Sequence, residues 1–274
     1  MLVFGVFVLS PIVFVLLLSF HKWSVLETIR IFIGLDNYCE LFHDLRFWNA
    51  VWNTARYTLG TVPLTIIISL GLALAVNSKI RGRIFFRGVY FLPAISSMAI
   101  VAIIWAFLLD PDIGIVSYYM RLLGVKTYGW LRSPIWAMPA VIGVGIWKNI
   151  GFYMVIFLAG LQSIPDTYYE AAKIDGAGTW QQFKNVTLPL LMPTTMFVVI
   201  ISIIASFQVF DQVYVMTRGG PLYSTETLVQ YIYYHGFETF KMGYASSVAC
   251  VWFIIILIFT AMQLKYFNAR ITYY

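Results

Sequence analysis

Apolar residues occur in long uninterrupted segments along this chain, and shorter polar segments separate them. Six apolar segments have 18 residues or more and contain at most one charged side chain. They cover residues 2–20, 58–76, 89–109, 135–161, 190–207 and 245–264. The hydrocarbon core of a bilayer is about 30 Å thick and a helix rises about 1.5 Å per residue, so about 20 residues cross it. The pattern therefore predicts six membrane-spanning helices.

The composition agrees with this prediction and excludes two other classes of protein. Hydrophobic residues make up 61% of the chain and charged residues 11%, whereas a soluble domain has roughly 45–50% and 25%. A soluble enzyme of 274 residues could not bury so much apolar surface, and a disordered chain has low hydrophobicity. We therefore expect an all-α polytopic membrane protein in which residues 1–274 form a single transmembrane domain.

The first apolar segment is expected to be a retained helix rather than a signal peptide. A signal peptide has a basic start, an apolar core of about 7–15 residues and a cleavage site of small residues. Residues 2–20 lack the basic start and are longer than such a core.

The distribution of basic residues predicts the orientation in the membrane. Residues 77–88 contain no acid and carry four basic side chains, Lys79, Arg81, Arg83 and Arg87. Since lysine and arginine accumulate in cytoplasmic loops, this segment is expected to be cytoplasmic. Alternation then places residues 162–189, Lys265, Arg270 and both termini on the same side. Residues 21–57 also carry four basic side chains, but spread over a longer stretch.

Sequence motifs of catalysis and nucleotide binding are absent. The chain has no G-x-x-x-x-G-K-[ST], no H-E-x-x-H and no G-x-S-x-G. Cys39 and Cys250 are too few for a disulfide framework or a zinc cluster of cysteines, and they have no assigned role. His21, His43 and His235 have no metal-ligand spacing and are expected to be ordinary surface residues.

The charges and tryptophans have simple explanations in a membrane protein. The net charge of +6 is attributed to basic residues that flank the spans rather than to binding of nucleic acid. Acids are few, and the absence of acids deep inside the predicted spans disfavours a proton relay. Trp105, Trp130, Trp136 and Trp252 are expected to be interface anchors. Six spans without a catalytic constellation indicate a conduit that lacks its own energy source.

The most informative polar segment is residues 162–189. Pro165 can start a helix there, with Asp166 in a first turn where the helix dipole favours an acid. Gly176 lies where this helix can end in a left-handed residue. We therefore expect a short helix that ends at a glycine elbow.

A second short helix is predicted after the elbow. Thr179 and Gln182 have the spacing of a capping box, and Pro189 is expected to introduce the next span. Small and flat surface is offered by Tyr168, Ala172 and Ala177, and charge by Glu170 and Asp175. This surface suits docking into a groove of another protein. Alternatively, the segment is merely a capped surface loop.

A long gapped motif in this segment resembles a known one. Glu170-Ala171-Ala172, three residues, Gly176, nine residues and then Val186-x-Leu188-Pro189 resemble the EAA loop of permease subunits in binding-protein-dependent ABC importers. Four further stretches resemble the sugar-uptake branch, in particular its MalF-type half: Gly34–Tyr38, Arg87–Pro93, Thr217–Pro221 and Met242–Ala245. The sequence lacks the basic amino-terminal tail usual in this family and a large inserted outer domain.

The resemblance implies a type I ABC importer permease fold in the cytoplasmic (inner) membrane of a prokaryote. Such a permease is not itself an enzyme and binds no cofactor. It works with a second homologous permease, two ATPase subunits that bind ATP and Mg, and an extracytoplasmic solute-binding protein. Membrane lipid surrounds it, and nucleic acid is not a partner. The implied cargo is a sugar, an oligosaccharide or a polyol, phosphorylated or not, and transport is by alternating access.

The resemblance also assigns residues to the ATPase-coupling surface. The acidic residue and the small residues of the EAA helix fit a cleft of the ATPase in this family. Carried over to this chain, the coupling surface comprises Glu170, Ala171, Ala172, Asp175, Gly176, Leu188 and Pro189.

Lys148 is the one charged residue within the six predicted spans. A charge at the middle of a span costs about 2.5–3.5 kcal/mol on insertion scales unless it faces water or a partner. Lys148 and Phe152 are four residues apart and share a helical face, with Asn149 beside them. The three could offer a sugar both hydrogen bonds and an aromatic plate. Alternatively, Lys148 pairs with an acid of the partner permease or lies nearer the interface.

Alignment by position with the fourth and fifth spans of the family gives the candidate substrate contacts. With the residues that flank them, these are Trp147, Lys148, Asn149, Phe152, Ser202, Ser206, Gln208 and Asp211. Serines inside helices more often bond to carbonyls of their own helix than to ligands.

A secondary transporter or channel and a membrane enzyme are the competing classes. Both are disfavoured, since the loop motif is the better signal and no nucleophile or metal set is present.

Overall fold

The computed structural model of the chain describes residues 2–27, 29–78, 82–124 and 129–268. Lys79, Arg81 and Arg270, which contribute to the predicted orientation, lie outside the described residues. Within these ranges the chain is mostly helical, with one short antiparallel pair of strands, β1 (His21–Lys22) and β2 (Ile31–Phe32).

The helices are numbered in chain order, and some contain a π-helical stretch. They are α1 (residues 2–18, π-helical at Gly5–Leu9), α2 (Asp36–His43), α3 (Leu45–Asn77), α4 (Arg83–Ile95), α5 (Met98–Leu108), α6 (Ile115–Leu122), α7 (Ala137–Gln162), α8 (Asp166–Ile174), α9 (Thr179–Leu190, π-helical at Phe183–Thr187), α10 (Met192–Phe207), α11 (Asp211–Met216), α12 (Leu228–Tyr233, continued by the π-helix Tyr234–Glu238) and α13 (Met242–Asn268).

Three of these helices, α3, α7 and α13, are long and apolar enough to cross a membrane. The bent pairs α4–α5 and α9–α10 each have the length and composition of one broken span, which gives up to five. The remaining candidate is α1, with the shorter apolar stretch Gly5–Leu18. All six predicted spans thus coincide with apolar helices, while the number that crosses the membrane and the orientation stay predictions.

The third predicted span is broken, which corrects the expectation of one helix over residues 89–109. The axes of α4 and α5 differ in direction by 97°. Ser96 and Ser97 between them have extended ψ angles of 149° and 133°. The Ser96 hydroxyl donates to Leu92 O at 3.3 Å, and Pro93 lacks the N–H that a helix interior requires. Side-chain competition for helix carbonyls thus accompanies the break.

The fifth predicted span begins later than expected. The helix α9 runs through Pro189 to Leu190 and meets α10 at a bend of 64°. Pro189 therefore lies inside a helix, and the span itself begins at Met192. The π-helical stretch Phe183–Thr187 ends two residues before Pro189. Pro189 has no N–H, so the ordinary i→i−4 hydrogen bond is lost at that residue.

The second predicted span belongs to a longer helix, because α3 begins at Leu45 rather than near residue 58. Asp44 caps it, accepting a hydrogen bond from the Arg46 N–H at 2.7 Å. The polar residues of its first turns bond to residues 217–241, called here the cap segment. Arg46 donates to both carboxylate oxygens of Glu226, at 2.7 and 2.8 Å.

Apolar packing forms three clusters along the length of α3. The first joins the start of α3 to α12 and α13 around Phe47 and Tyr231. The second joins Tyr57 to α5, α7 and α11. The third joins Ala73 to α7 and α10 around Phe157. Because α3 takes part in all three, it is the central helix of the fold.

Of two residues expected near the surface, Trp252 is buried and His235 is half-buried, which corrects those expectations. Trp252 is 7% exposed, and its indole N–H donates to Phe207 O at 3.1 Å. His235 packs its ring against Tyr231 and Tyr244, with centroids 4.4 and 5.0 Å apart. The Trp252 contact joins parts of the sequence that are 45 residues apart, which a hydropathy pattern does not show.

Candidate functional site

A cavity of about 220 Å³ lies between α3, α7, α10 and α11, next to the first residue of α5. A molecule of liquid water takes up about 30 Å³, so the cavity exceeds the space of a few waters. Its lining mixes hydroxyl, amide and charged side chains with aromatic rings. The cavity is therefore a polar compartment inside an apolar helical bundle.

The structure brings most of the predicted contact residues to this cavity. Six of the eight candidates line it: Lys148, Asn149, Ser202, Ser206, Gln208 and Asp211. Trp147 and Phe152 do not line it, and they are 40% and 44% exposed on the outside of α7. The aromatic side chain of α7 that faces the cavity is Tyr153, because it lies one turn after Asn149 on the same face.

The helix α3 supplies a wall that the sequence analysis missed. Tyr57, Thr61 and Thr65 line the cavity, and they repeat at the four-residue spacing of one helical face. This spacing of polar residues inside an apolar helix was a readable signal. Thr65 is 1% exposed, and its hydroxyl has no hydrogen-bond partner among the described residues. It therefore offers a buried polar atom to whatever occupies the cavity.

The floor of the cavity is fixed by a buried polar contact. The Gln212 amide donates to the Tyr57 hydroxyl, which joins α11 to α3. Gly145 of α7 lies against this pair, and a Cβ at that position would overlap the Tyr57 oxygen. Asn149 donates to Gly145 O at 2.9 Å. A glycine is thus required where three helices approach one another.

The two serines bond chiefly to their own helix. The Ser202 hydroxyl donates to Val199 O at 3.0 Å. Ser206 Oγ lies 2.8 Å from Ile203 O and 3.0 Å from Thr58 Oγ1. Their protons are therefore used within the chain, while oxygen lone pairs remain available toward the cavity.

The charges of the lining are one lysine and one aspartate. Lys148 is half-buried, and its ammonium donates to Ala94 O at 3.3 Å. Within the described residues, no carboxylate oxygen lies within 4.0 Å of its Nζ. Asp211 is exposed at the start of α11. The cavity can therefore offer both hydrogen-bond donors and acceptors to a polyhydroxyl ligand.

The predicted coupling segment forms two helices joined by a rigid elbow. The helix α8 ends at Ile174, and Gly176, two residues later, has a φ of +79°. The Gly176 N–H donates to Lys173 O at 3.0 Å and the Ala177 N–H to Ala172 O at 2.8 Å. This pair of bonds is a Schellman motif, which requires a left-handed residue at the glycine.

Side chains attach α9 to the elbow, one residue away from the predicted capping pair. Gln181 accepts from the Gly178 N–H at 2.8 Å, so the cap is Gly178 with Gln181 rather than Thr179 with Gln182. Gln182 instead donates to Ala177 O at 2.8 Å. Tyr169 and Thr187 share a hydrogen bond of 3.1 Å between α8 and α9. The two helices therefore have a defined relative position.

The predicted coupling residues lie at the surface of α8, the elbow and α9. Glu170, Ala171, Asp175, Gly176, Leu188 and Pro189 are exposed, and Ala172 is half-buried. Large apolar side chains of the same two helices are also open, with Ile174 87% and Trp180 72% exposed. An acidic and apolar surface is thus presented on a rigid support.

A second polar cluster lies at the far end of α3, under the cap segment. Asp44 accepts hydrogen bonds from the hydroxyls of Tyr231 and Tyr244. Burial acts to raise the pKa of Asp44, but these bonds and the backbone N–H of Arg46 outweigh it and lower that pKa. Burial, followed by the charges of Arg46 and Lys241, lowers the pKa of His235 to about 4.

Comparisons with known proteins identify the family and the fold. Residues 66–273 match the family described as binding-protein-dependent transport system inner membrane component. Over 239 residues the chain is 37% identical to the sulfoquinovosyl glycerol transport system permease protein SmoG of Agrobacterium fabrum, which covers 87% of this chain and 78% of that protein.

Two further matches cover nearly the whole chain. Over 260 residues the chain is 32% identical to the trehalose/maltose transport system permease protein MalF of Thermococcus litoralis, covering 95% and 88% of the two chains. The crystal structure of a bacterial alginate ABC transporter, in complex with an alginate pentasaccharide-bound periplasmic protein, contains a chain that superposes with a TM-score of 0.83. That chain is 24% identical over 95% of this one and 88% of its own length, so it shows the fold alone.

Proposed function

This chain belongs to the binding-protein-dependent transport system inner membrane components, the permease subunits of ABC importers, and from that membership we propose its cargo, partners and mechanism. The cargo is a sugar, an oligosaccharide or a polyol, phosphorylated or not. The cargo passes through the cavity between α3, α7, α10 and α11. SmoG and MalF, which are named for glycosides, support this class of cargo.

The cavity is the observation that carries the proposal. A carbohydrate needs many hydrogen bonds from its hydroxyls and a flat apolar surface for its ring faces. The Lys148 ammonium, the Asn149 amide and the Thr65 hydroxyl can supply the bonds, and Tyr57 and Tyr153 supply aromatic surface. Polar side chains inside membrane helices are costly unless they line such a pathway.

The segment α8–α9 is proposed to couple transport to ATP hydrolysis. Its exposed residues Glu170, Asp175 and Leu188 would fit a cleft on each ATPase subunit, where ATP and Mg are bound. Movement of the ATPases would shift this rigid unit and rock the spans between inward-facing and outward-facing states. Substrate affinity that differs between the two states gives the movement its direction.

A second, homologous permease is proposed to complete the transport pathway. Trp147 and Phe152 lie beside the cavity on α7 and are exposed in the isolated chain. Large apolar patches of this kind mark a surface that a partner or lipid covers. The full assembly would contain two permeases, two ATPases and a soluble binding protein, in the cytoplasmic membrane. Residues 1–274 form its single transmembrane domain, with six spans and both termini in the cytoplasm.

The proposal is tested by obstructing the cavity in the reconstituted complex. Ala205 lines the cavity and is exposed to it rather than packed in the core. Ala205→Trp should abolish uptake of the sugar that the cognate binding protein binds, measured in proteoliposomes loaded with ATP. Phe197→Trp is the matched control, because Phe197 lies on the same helix, is 54% exposed and is remote from the cavity lining. Equal uptake by the two variants would refute the assignment of the pathway.

A further inference from the structure

The break between α4 and α5 leaves a helix carbonyl in need of a donor. In a continuous helix the N–H of Met98 would bond to Ala94 O, four residues earlier. Here α4 ends at Ile95 and Met98 begins α5. Ala94 O therefore belongs to the carbonyls that a helix end leaves unpaired. Inside a membrane such a group requires another partner.

Lys148 provides that partner from a distant part of the chain. Its ammonium donates to Ala94 O at 3.3 Å, and a cation at the carboxyl end of a helix also interacts favourably with the helix dipole. Three residues later on α7, Gly151 lies against the backbone of Tyr90 and Phe91, where a Cβ would overlap Tyr90 O. The helix α4 is thus in backbone contact with α7 just below the lysine contact.

Both sides of the break pack against α7, and α5 also packs against α11. On one side α4 lies on α7 at Gly151. On the other side, Val101 and Ala102 of α5 pack in a cluster with Val209 and Val213, before and within α11. Met98, the first residue of α5, lines the cavity together with Lys148. The angle at the break therefore sets the position of one cavity wall.

We propose that Lys148 keeps the third span bent by supplying the hydrogen-bond donor that Ala94 O lacks, and that a bound substrate straightens it by taking that donor. This inference rests on the proposed transport of a polyhydroxyl substrate through the cavity. The ammonium carries three N–H groups, so substrate oxygens act by drawing it into the cavity and away from Ala94 O. When they succeed, the freed carbonyl regains the Met98 N–H in a continuous helix. By reciprocity, the bent state binds the substrate less tightly than the straight state.

The experiment measures the distance across the break in the intact complex in nanodiscs. Spin labels are placed at Ile84 of α4 and Phe107 of α5, which are 79% and 55% exposed, after Cys39 and Cys250 have been replaced by alanine. With 1.5 Å per residue, the two labelled sites lie roughly 23 Å apart at the observed bend of 97° and roughly 34 Å apart in a straight helix. The two states are therefore resolved by pulsed electron spin resonance.

Three variants separate the lysine contact from other effects of mutation. Lys148→Met has similar length but no donor, and it should produce a population near 34 Å without any substrate. Lys148→Arg retains a donor and should restore the shorter distance. Asn149→Ala removes a neighbouring lining side chain that, among the described residues, bonds to Gly145 O of its own helix, and it should leave the distance unchanged.

Each outcome bears on a separate part of the reasoning. A single short distance in Lys148→Met would overturn the inference, even if uptake falls, and would leave Lys148 as a substrate contact alone. Addition of the substrate-loaded binding protein should lengthen the distance in the wild type, and no change would overturn the role given to substrate. Failure of the wild-type complex to import sugar would instead refute the proposed function, because the substrate-free distances do not depend on transport.

Discussion

The glycine elbow between α8 and α9 allows a direct test of whether its geometry is needed for coupling. Gly176 has a φ of +79°, and no atom outside its immediate neighbours lies within 4 Å of a Cβ built there. Gly176→Ser therefore meets no steric obstacle, and its whole effect comes from the backbone. A side chain in the left-handed region costs about 1–2 kcal/mol.

This cost sets the size of the expected effect. A change of 1–2 kcal/mol alters a population ratio by a factor of about 5–30. In Gly176→Ser, the population of the observed elbow should fall by that factor relative to conformations in which the Ala177 N–H no longer donates to Ala172 O. If the ATPases grip only the observed geometry, ATP-dependent uptake should fall by up to the same factor. Binding of substrate to the soluble receptor should not change.

Gly178→Ser is the matched control for this prediction. Gly178 is two residues away and also exposed, but its φ is −70°, and serine is favourable at the start of a helix. Hydrogen exchange of the Ala177 amide reports the elbow, and proteoliposome uptake reports coupling. Similar exchange and uptake in the two serine variants would refute the reasoning. Faster exchange in Gly176→Ser with normal uptake would show that coupling does not need this geometry.

Three further predictions concern other parts of the chain. Glu170→Arg should abolish uptake or complex assembly, because a reversed charge would face the ATPase cleft; unchanged uptake in vesicles would remove Glu170 from the docking surface. Glu226→Ala should lower the free energy of unfolding by about 3–5 kcal/mol, since it leaves Arg46 without its largely buried partner; a thermal-unfolding midpoint equal to that of the wild type would contradict this. His235 is neutral in the folded protein, since its pKa is about 4 there against 6.5 in the unfolded chain. Because the unfolded state binds the extra proton, the protein should lose about 2 kcal/mol of stability as the pH falls from 6.5 to 4. The melting temperature of the wild type should fall more steeply over this pH range than that of His235→Phe. A stability that rises on acidification would contradict the assignment.

The sequence predicted the apolar helices but not their bends. Beside the break at Ser96 and Ser97, Ala94 O accepts a hydrogen bond from Lys148, which is about fifty residues away and reaches it only in the folded chain. The early start of α3 depends on tertiary contacts. Arg46 and Asn53 lie outside the apolar pattern in the sequence, yet both belong to α3. There Arg46 donates to the Glu226 carboxylate and Asn53 to a backbone carbonyl of the cap segment. A hydropathy pattern therefore detects the apolar part of such a helix and misses its polar first turns.

The candidate site shows the same division. The motif around Glu170 and the left-handed glycine follow from local sequence, and the structure has the expected helix and elbow there. On α7, Lys148 lines the cavity as predicted, whereas Phe152 does not and Tyr153 lines it instead. The position of the cavity relative to α7 depends on α3 and α11, so Tyr153 could be identified only after the helices were assembled.

The unbroken length of α3 has a mechanical consequence. With 33 residues it is about 50 Å long, and it contacts the cap segment at one end, the cavity in its middle and the Phe183 region near Leu74 at the other. A rotation of this helix by about 10° around its centre would displace each end by roughly 4 Å. In the proposed importer, a binding protein that contacts one end of α3 and ATPases that act near the other end would therefore move the same helix, with the cavity between them.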